Sequence, residues 1–151
     1  MEPTFDITIT SRKIVAQILE NYTLEQLNTI PEGFSNNLIW NIGHIVVVQQ
    51  MLVYRLSGLP MMVSEELVEK YKKGTRPLQD ATQADVDEIK ALLFATIHQT
   101  KTDFENAIFK DYTEFTTAVG FHIKSAKDAM AFNYFHEGLH IGIIMSIRKF
   151  V

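Results

Sequence analysis

Two histidines four residues apart, His136 and His140, stand in the run Asn133-Tyr-Phe-His136-Glu137-Gly138-Leu-His140-Ile-Gly-Ile-Ile near the C-terminus. At about 100° per residue they lie about 40° apart on one helix face, close to Ala129, Phe132, Ile143 and Ile147. Both imidazoles therefore occupy the stripe that a helix buries. His44, far upstream, has the same setting, with Trp40, Val47, Val48, Met51 and Arg55 within about 60° of it. A buried imidazole needs partners for two nitrogens, which is awkward for one ring and more so for three. A shared divalent ion satisfies one nitrogen on each ring at once. The three are read as metal ligands meeting in space, against the plainer alternative of three separate core histidines. His98 lies about 120° from the stripe of its own helix, where solvent is expected, and His122 falls in an irregular stretch.

The type of metal site follows from what accompanies the histidines. His136-Glu137-Gly138-Leu139-His140 has the H-E-x-x-H form, in which two histidines bind zinc and the glutamate is a general base. The residues after His140 hold no Asp, Glu or His, so a third ligand has to come from upstream, and the zincin match reads as accidental. Glu137, about 100° round the helix from His136, is left open between catalytic base and plain surface acid. A di-iron bundle needs Glu-x-x-His pairs, whereas this chain has Asn41-x-x-His44 and Asn133-x-x-His136. Asparagine supplies no bridging charge. Asn41 and Asn133 are read as orienting ligands or substrate, with polar packing between helices as the alternative. Trp40 is placed as a pocket wall or a core residue, and Arg55 beside Tyr54 as an anion-binding or snorkelling side chain. What remains is one ion with three histidines and open positions, the catalytic pattern. Such ligation suits zinc, nickel, copper or iron, and we take zinc or nickel as the first candidates.

Four long helices are expected to position these residues. Ile14, Val15, Ile18, Leu19 and Tyr22 mark helix one from about Ile7 to Asn28, bending near Tyr22-Thr23. Pro31 and Gly33 stop it, Ser35 or Asn36 caps helix two, and Gly58 and Pro60 end that helix near Ser57. Within the long connection from Gly58 to Ala81, the run Ser64 to Gly74 reads as a short helix, with a serine cap, early acids and late lysines. Thr82-Gln-Ala-Asp85 opens helix three as a capping box, with a stripe of Val86, Ile89, Leu93, Ile97, Thr100, Phe104 and Ile108 as far as about Lys110. Residues 111–124 are irregular. Ser125 opens helix four, which continues to the C-terminus. Four long helices without a strand pattern predict an all-α four-helix bundle, a single domain over 1–151, and the long connection allows helices two and three to run in the same direction.

Composition narrows the function. With 46% hydrophobic residues in 151, one sizeable core is expected. The formal net charge of −4 argues against nucleic acid. There is no cysteine, so thiolate ligands and a protein-thiol nucleophile are excluded. No signal-peptide pattern opens the chain, and the most apolar run, Leu38 to Leu56, is interrupted by Asn41, His44, Gln49, Gln50 and Arg55. A cytoplasmic protein without membrane contact is expected. Opposite His44, helix two presents a second apolar face of Ile39, Ile42, Val46 and Val53. Either the long connection covers it or a second subunit does, and a symmetric homodimer is the expectation.

The run Pro31-x-Gly33-Phe34-x-Asn36-x-x-x-Trp40-Asn-x-Gly-His44, followed by Arg55-x-x-Gly58-x-Pro60, resembles the first half of DinB-like proteins, the DinB/YfiT superfamily. His136-Glu-x-x-His140-x-Gly142, with Arg148 soon after, resembles their last helix. The likeness spans nearly the whole chain. It implies up-down-down-up topology, a dimer, and His44, His136 and His140 as ligands of one divalent metal. It also implies, for some members, transfer of low-molecular-weight thiols such as bacillithiol or mycothiol, and for others isomerisation or hydrolysis. The resulting expectation is a metal-dependent enzyme that activates a thiol cosubstrate or water against a small electrophilic substrate. The alternatives are a non-catalytic metal-binding or stress-related helical dimer, and a metal-free helical dimer.

Overall fold

The computed structural model describes residues 5–151, and among these the chain is mostly helical. Helix α1 spans Phe5–Asn21 and α2 spans Leu24–Asn28. The expected single helix is broken here rather than bent. Thr23 accepts from the Gln26 N–H, and the Gln26 side chain accepts from the Thr23 N–H. This capping box starts a new helix and supplies partners that continuation of α1 would have supplied.

Helix α3 covers Leu38–Val53, one turn of 3-10 helix covers Arg55–Ser57, and Gly58 turns the chain with φ 68°. The cap of α3 is Asn37 rather than Ser35 or Asn36. Its Oδ1 accepts from the Trp40 N–H, while its Nδ2 donates to the Asn28 carbonyl, so one side chain ties α2 to α3. Helix α4 is Glu65–Tyr71, capped by Ser64 as expected. Helix α5, Gln83–Glu105, opens on the Thr82–Asp85 capping box. It ends before the expected Lys110 because Ala107 adopts φ 53°, and the Ile108 N–H returns to the Asp103 carbonyl. The stretch 111–124 contains a small antiparallel ribbon, β1 Phe115–Thr116 and β2 His122–Ile123, with Phe115 opposite Ile123. Helix α6, Ala126–Ile147, follows the Ser125 cap and stops short of the C-terminus.

The long helices close on one another: α3 packs against α5 and α6, and α1 packs against α5 and α6. Helix α3 is the central one. Of its residues, Val48 and Met51 alone are partly exposed. The second apolar face of α3, on which the dimer expectation rested, is covered within the same chain: Ile39, Ile42 and Val46 share a core cluster with Leu67, Val68 and Tyr71 of the long connection. Leaving water stabilises each such aliphatic side chain by about 1.5–3 kcal/mol, enough to fold the connection down on α3. Gly43 makes that approach close, since a Cβ there would stand 2.6 Å from the Tyr71 ring. Among the described residues, no helix is long and apolar enough to cross a membrane.

Candidate metal centre

Because α3 and α6 lie side by side, three histidines distant in sequence meet between them. One ring nitrogen of each of His44, His136 and His140 lies within 4.8 Å of the other two. His44 Nε2 and His136 Nε2 are 3.2 Å apart. That is close to the ligand–ligand edge of roughly 3.3 Å that follows from tetrahedral coordination with metal–nitrogen bonds of about 2.0–2.1 Å. The ring centroid of His140 is 4.6 Å from those of both other histidines.

The hydrogen bonds around the cluster fix how two of the rings are protonated. His44 Nδ1 faces the Tyr71 carbonyl at 2.6 Å. A carbonyl only accepts, so Nδ1 carries the proton and Nε2 keeps its lone pair. His140 Nδ1 faces Asn41 Oδ1 at 2.8 Å. The amide orientation of Asn41 is settled, because its Nδ2 donates to Asn36 Oδ1 and to the Asn37 carbonyl. Oδ1 must therefore accept, His140 Nδ1 donates, and His140 Nε2 is the nitrogen left with a lone pair. A histidine that donates one N–H to an oxygen and offers its other nitrogen inward is the arrangement metal-binding histidines adopt. The donor set therefore fits a divalent ion.

The electrostatics agree with neutral ligands. Burial pushes His136 down to about 3, with the neighbouring His140 and His44 adding to the effect. Burial, then His44, pushes His140 down to about 4. His44 is lowered as well, by burial first and then by Lys73, against the opposing pull of the Tyr71 carbonyl. All three rings are neutral at pH 7, the form a metal requires.

Trp40 stacks on His44 with ring centroids 4.7 Å apart and an angle of 15°, and its Nε1 donates to Thr75 Oγ1. It walls the cluster on one side. Beyond it lies a cavity of about 830 Å³, lined by Trp40, Tyr71, Thr75 and Arg76 among others, but by none of the three histidines. On the other side, Phe132 stacks near His136 at 6.0 Å, and Phe121 from the loop between the strands packs against Phe132 and Phe135. His136 is the most accessible of the three ligands, so this aromatic edge flanks the open side.

Glu137 does not join the histidines. It is not a surface acid: it is 2% exposed and paired with Arg12, itself fully buried, at 2.8 Å. Arg12 Nη1 also donates to the Leu93 carbonyl and to Thr96 Oγ1, so one guanidinium joins α1, α5 and α6. Asn133 is fully buried, and its Nδ2 donates to Glu137 Oε1. Arg55 lies past the end of α3, roughly 16 Å along the axis from His44, with its guanidinium held by Glu65. Tyr54 turns towards α5 and donates to Asp103. His98 is exposed, and His122 contacts Glu114 on the ribbon.

Two contributors carried different signals in the sequence. Tyr71 acts through its backbone carbonyl, which no side-chain pattern reveals. Arg12 stands at helical spacing with Thr8, Val15 and Leu19, all buried, so the stripe itself marked it as an inward charge.

The chain belongs to the DinB superfamily, whose family model matches residues 8–144. Among solved structures it is similar to one described as the crystal structure of the conserved protein of locus from Enterococcus faecalis. The TM-score is 0.66 with 13% identity, over 97% of this chain and 94% of that one, a likeness of fold. No curated protein matches the sequence.

Proposed function

We propose that this chain is a single-domain, metal-dependent enzyme in which His44, His136 and His140 hold one divalent ion, zinc or nickel first. The observation that carries this reading is the pair of Nδ1–H bonds, His44 to Tyr71 and His140 to Asn41, which leave the Nε2 lone pair of each ring free within the three-histidine cluster. An ion held by His44, His136 and His140 would supply Lewis-acid chemistry that makes a thiol or water nucleophilic at neutral pH. The residues of the chain supply the rest. Trp40 and the buried face of α3 exclude water from one side of the rings. His136, on the accessible side, borders the space that a small electrophilic substrate enters. Glu137, held by Arg12, is not the base in this reading. The absence of cysteine makes any attacking thiol a cosubstrate.

The architecture proposed with it is a four-helix bundle of α1, α3, α5 and α6 in up-down-down-up order. Phe5 at the start of α1 shares a cluster with Ala126, Ala129 and Met130 at the start of α6, which supports parallel α1 and α6. A cytoplasmic homodimer remains part of the proposal. Its support is family membership, since the second face of α3 is already covered.

A second reading, a non-catalytic metal-binding protein, draws on the position of the 830 Å³ cavity, which lies beyond Trp40 rather than at the histidines. The experiment that separates the two is a screen of the zinc- and nickel-loaded protein with low-molecular-weight thiols and small electrophiles. The enzyme reading expects product formation that His136→Ala abolishes. A loaded protein that turns over no thiol or hydrolytic substrate supports the binding reading.

A further inference from the structure

Two of the three histidines have an oxygen that receives their outer N–H; among the described residues His136 has none. Its Nδ1 is buried without a hydrogen-bond partner among them, and so are Asn133 Oδ1, one turn earlier on α6, and Thr8 Oγ1 on α1. A ring nitrogen, an amide oxygen and a hydroxyl, all buried and all unpaired, is a costly coincidence if they are unrelated. The orientation of Asn133 is settled, because its Nδ2 donates to the Glu137 carboxylate and Oδ1 is thereby the acceptor. Helical side chains lean back over the preceding turn, which carries the His136 ring towards Asn133. Arg12 faces Glu137 across α1 and α6, and stepping back one turn on parallel helices sets Thr8 level with Asn133.

Building on the metal reading above, we propose that Asn133 is the positioning residue of His136. Its Oδ1 receives the His136 Nδ1–H across one buried water that the Thr8 hydroxyl shares. Three polar partners are what a buried water ordinarily has. The water is a donor to Asn133 Oδ1 and an acceptor from His136 Nδ1, which leaves His136 Nε2 with its lone pair facing His44 Nε2. Asn133 is in turn held by Glu137, and Glu137 by Arg12. The glutamate of the H-E-x-x-H sequence thus anchors, from behind α6, the support of the first histidine.

Zinc titration and histidine ring ¹H–¹⁵N spectra of the zinc-loaded protein test this. The wild-type spectrum should show all three ligand rings with the proton on Nδ1, that of His136 slow to exchange. Asn133→Ala should weaken zinc binding about 10- to 100-fold. Thr8→Val, which keeps shape and removes the hydroxyl, should shift the His136 ring signals while those of His44 and His140 stay in place. A His136 ring protonated on Nε2 in the loaded wild type overturns the proposal without any variant. So does an Asn133→Ala protein that binds zinc as tightly as wild type. A wild type that binds no zinc overturns the metal reading and this one with it, so the two failures are told apart in one titration.

Discussion

His44 and His136, 92 positions apart in the chain, bring their Nε2 atoms to within 3.2 Å of each other. His44 already donates from Nδ1 to the Tyr71 carbonyl, so its Nε2 can only accept. Without a cation, the contact requires a proton on His136 Nε2. With one, both lone pairs are used. The same geometry therefore serves a metal-free and a metal-loaded state that differ in which nitrogen of the neutral His136 ring carries the proton, Nε2 without the ion and Nδ1 with it.

Glu137→Ala should lower unfolding free energy by about 3–5 kcal/mol, because it strands the buried Arg12 guanidinium. Replacing both residues by methionine should cost less than the single change, since no unpaired charge remains. Urea unfolding of the two variants measures the difference. A Glu137→Ala protein as stable as wild type would contradict the ion-pair role.

Gly43→Ala should destabilise by about 1–3 kcal/mol and loosen zinc binding. The new Cβ would meet three Tyr71 ring carbons at 2.6–2.8 Å, and moving Tyr71 displaces the carbonyl that orients His44. Urea midpoint and zinc affinity should fall together. A fall in neither would show that α4 yields without disturbing the site.

The pH dependence of the metal-free protein follows from the sign of the histidine shifts. Burial holds His136 near 3 and His140 near 4, below the ordinary value near 6.5. Between those values and 6.5 the unfolded chain binds more protons than the folded one. Stability is therefore complete above about pH 6.5 and is lost as pH falls towards 4 and 3, with a slope of at most about 1.4 kcal/mol per pH unit for each ring. Thermal midpoints from pH 8 to 4 in a chelator should be flat and then fall. His136→Ala should reduce the slope, and an unchanged slope would contradict the buried neutral ring.

Much of this was legible in the sequence, and the exceptions have physical reasons. Period 3.6 set the long helices, and the caps at Ser64, Thr82 and Ser125 stood where serine or threonine precedes an acid. A bend, not a break, is what the sequence suggests near Tyr22-Thr23, because apolar spacing continues across it; the Thr23–Gln26 capping box makes it a break. The ribbon in 111–124 has two-residue strands, too short for any period to show. At the site, three inward histidines declared themselves by type and angle. Asn41 was legible as a polar inward neighbour, yet its partner, His140 on another helix, needed the packing of α3 on α6. Arg55 and Glu137 show the limit of angular arithmetic. Both lay near the right face, and tertiary partners, Glu65 and Arg12, took them elsewhere.

The most direct test of the shared centre is the metal content of the purified protein, read beside His44→Ala and His136→Ala. These residues lie on different helices, so loss of the metal in both variants would place them at one ion. About one equivalent of divalent metal in the wild type is expected, lost in both variants. A wild type that purifies without metal, takes up neither zinc nor nickel, and matches both variants would contradict the account.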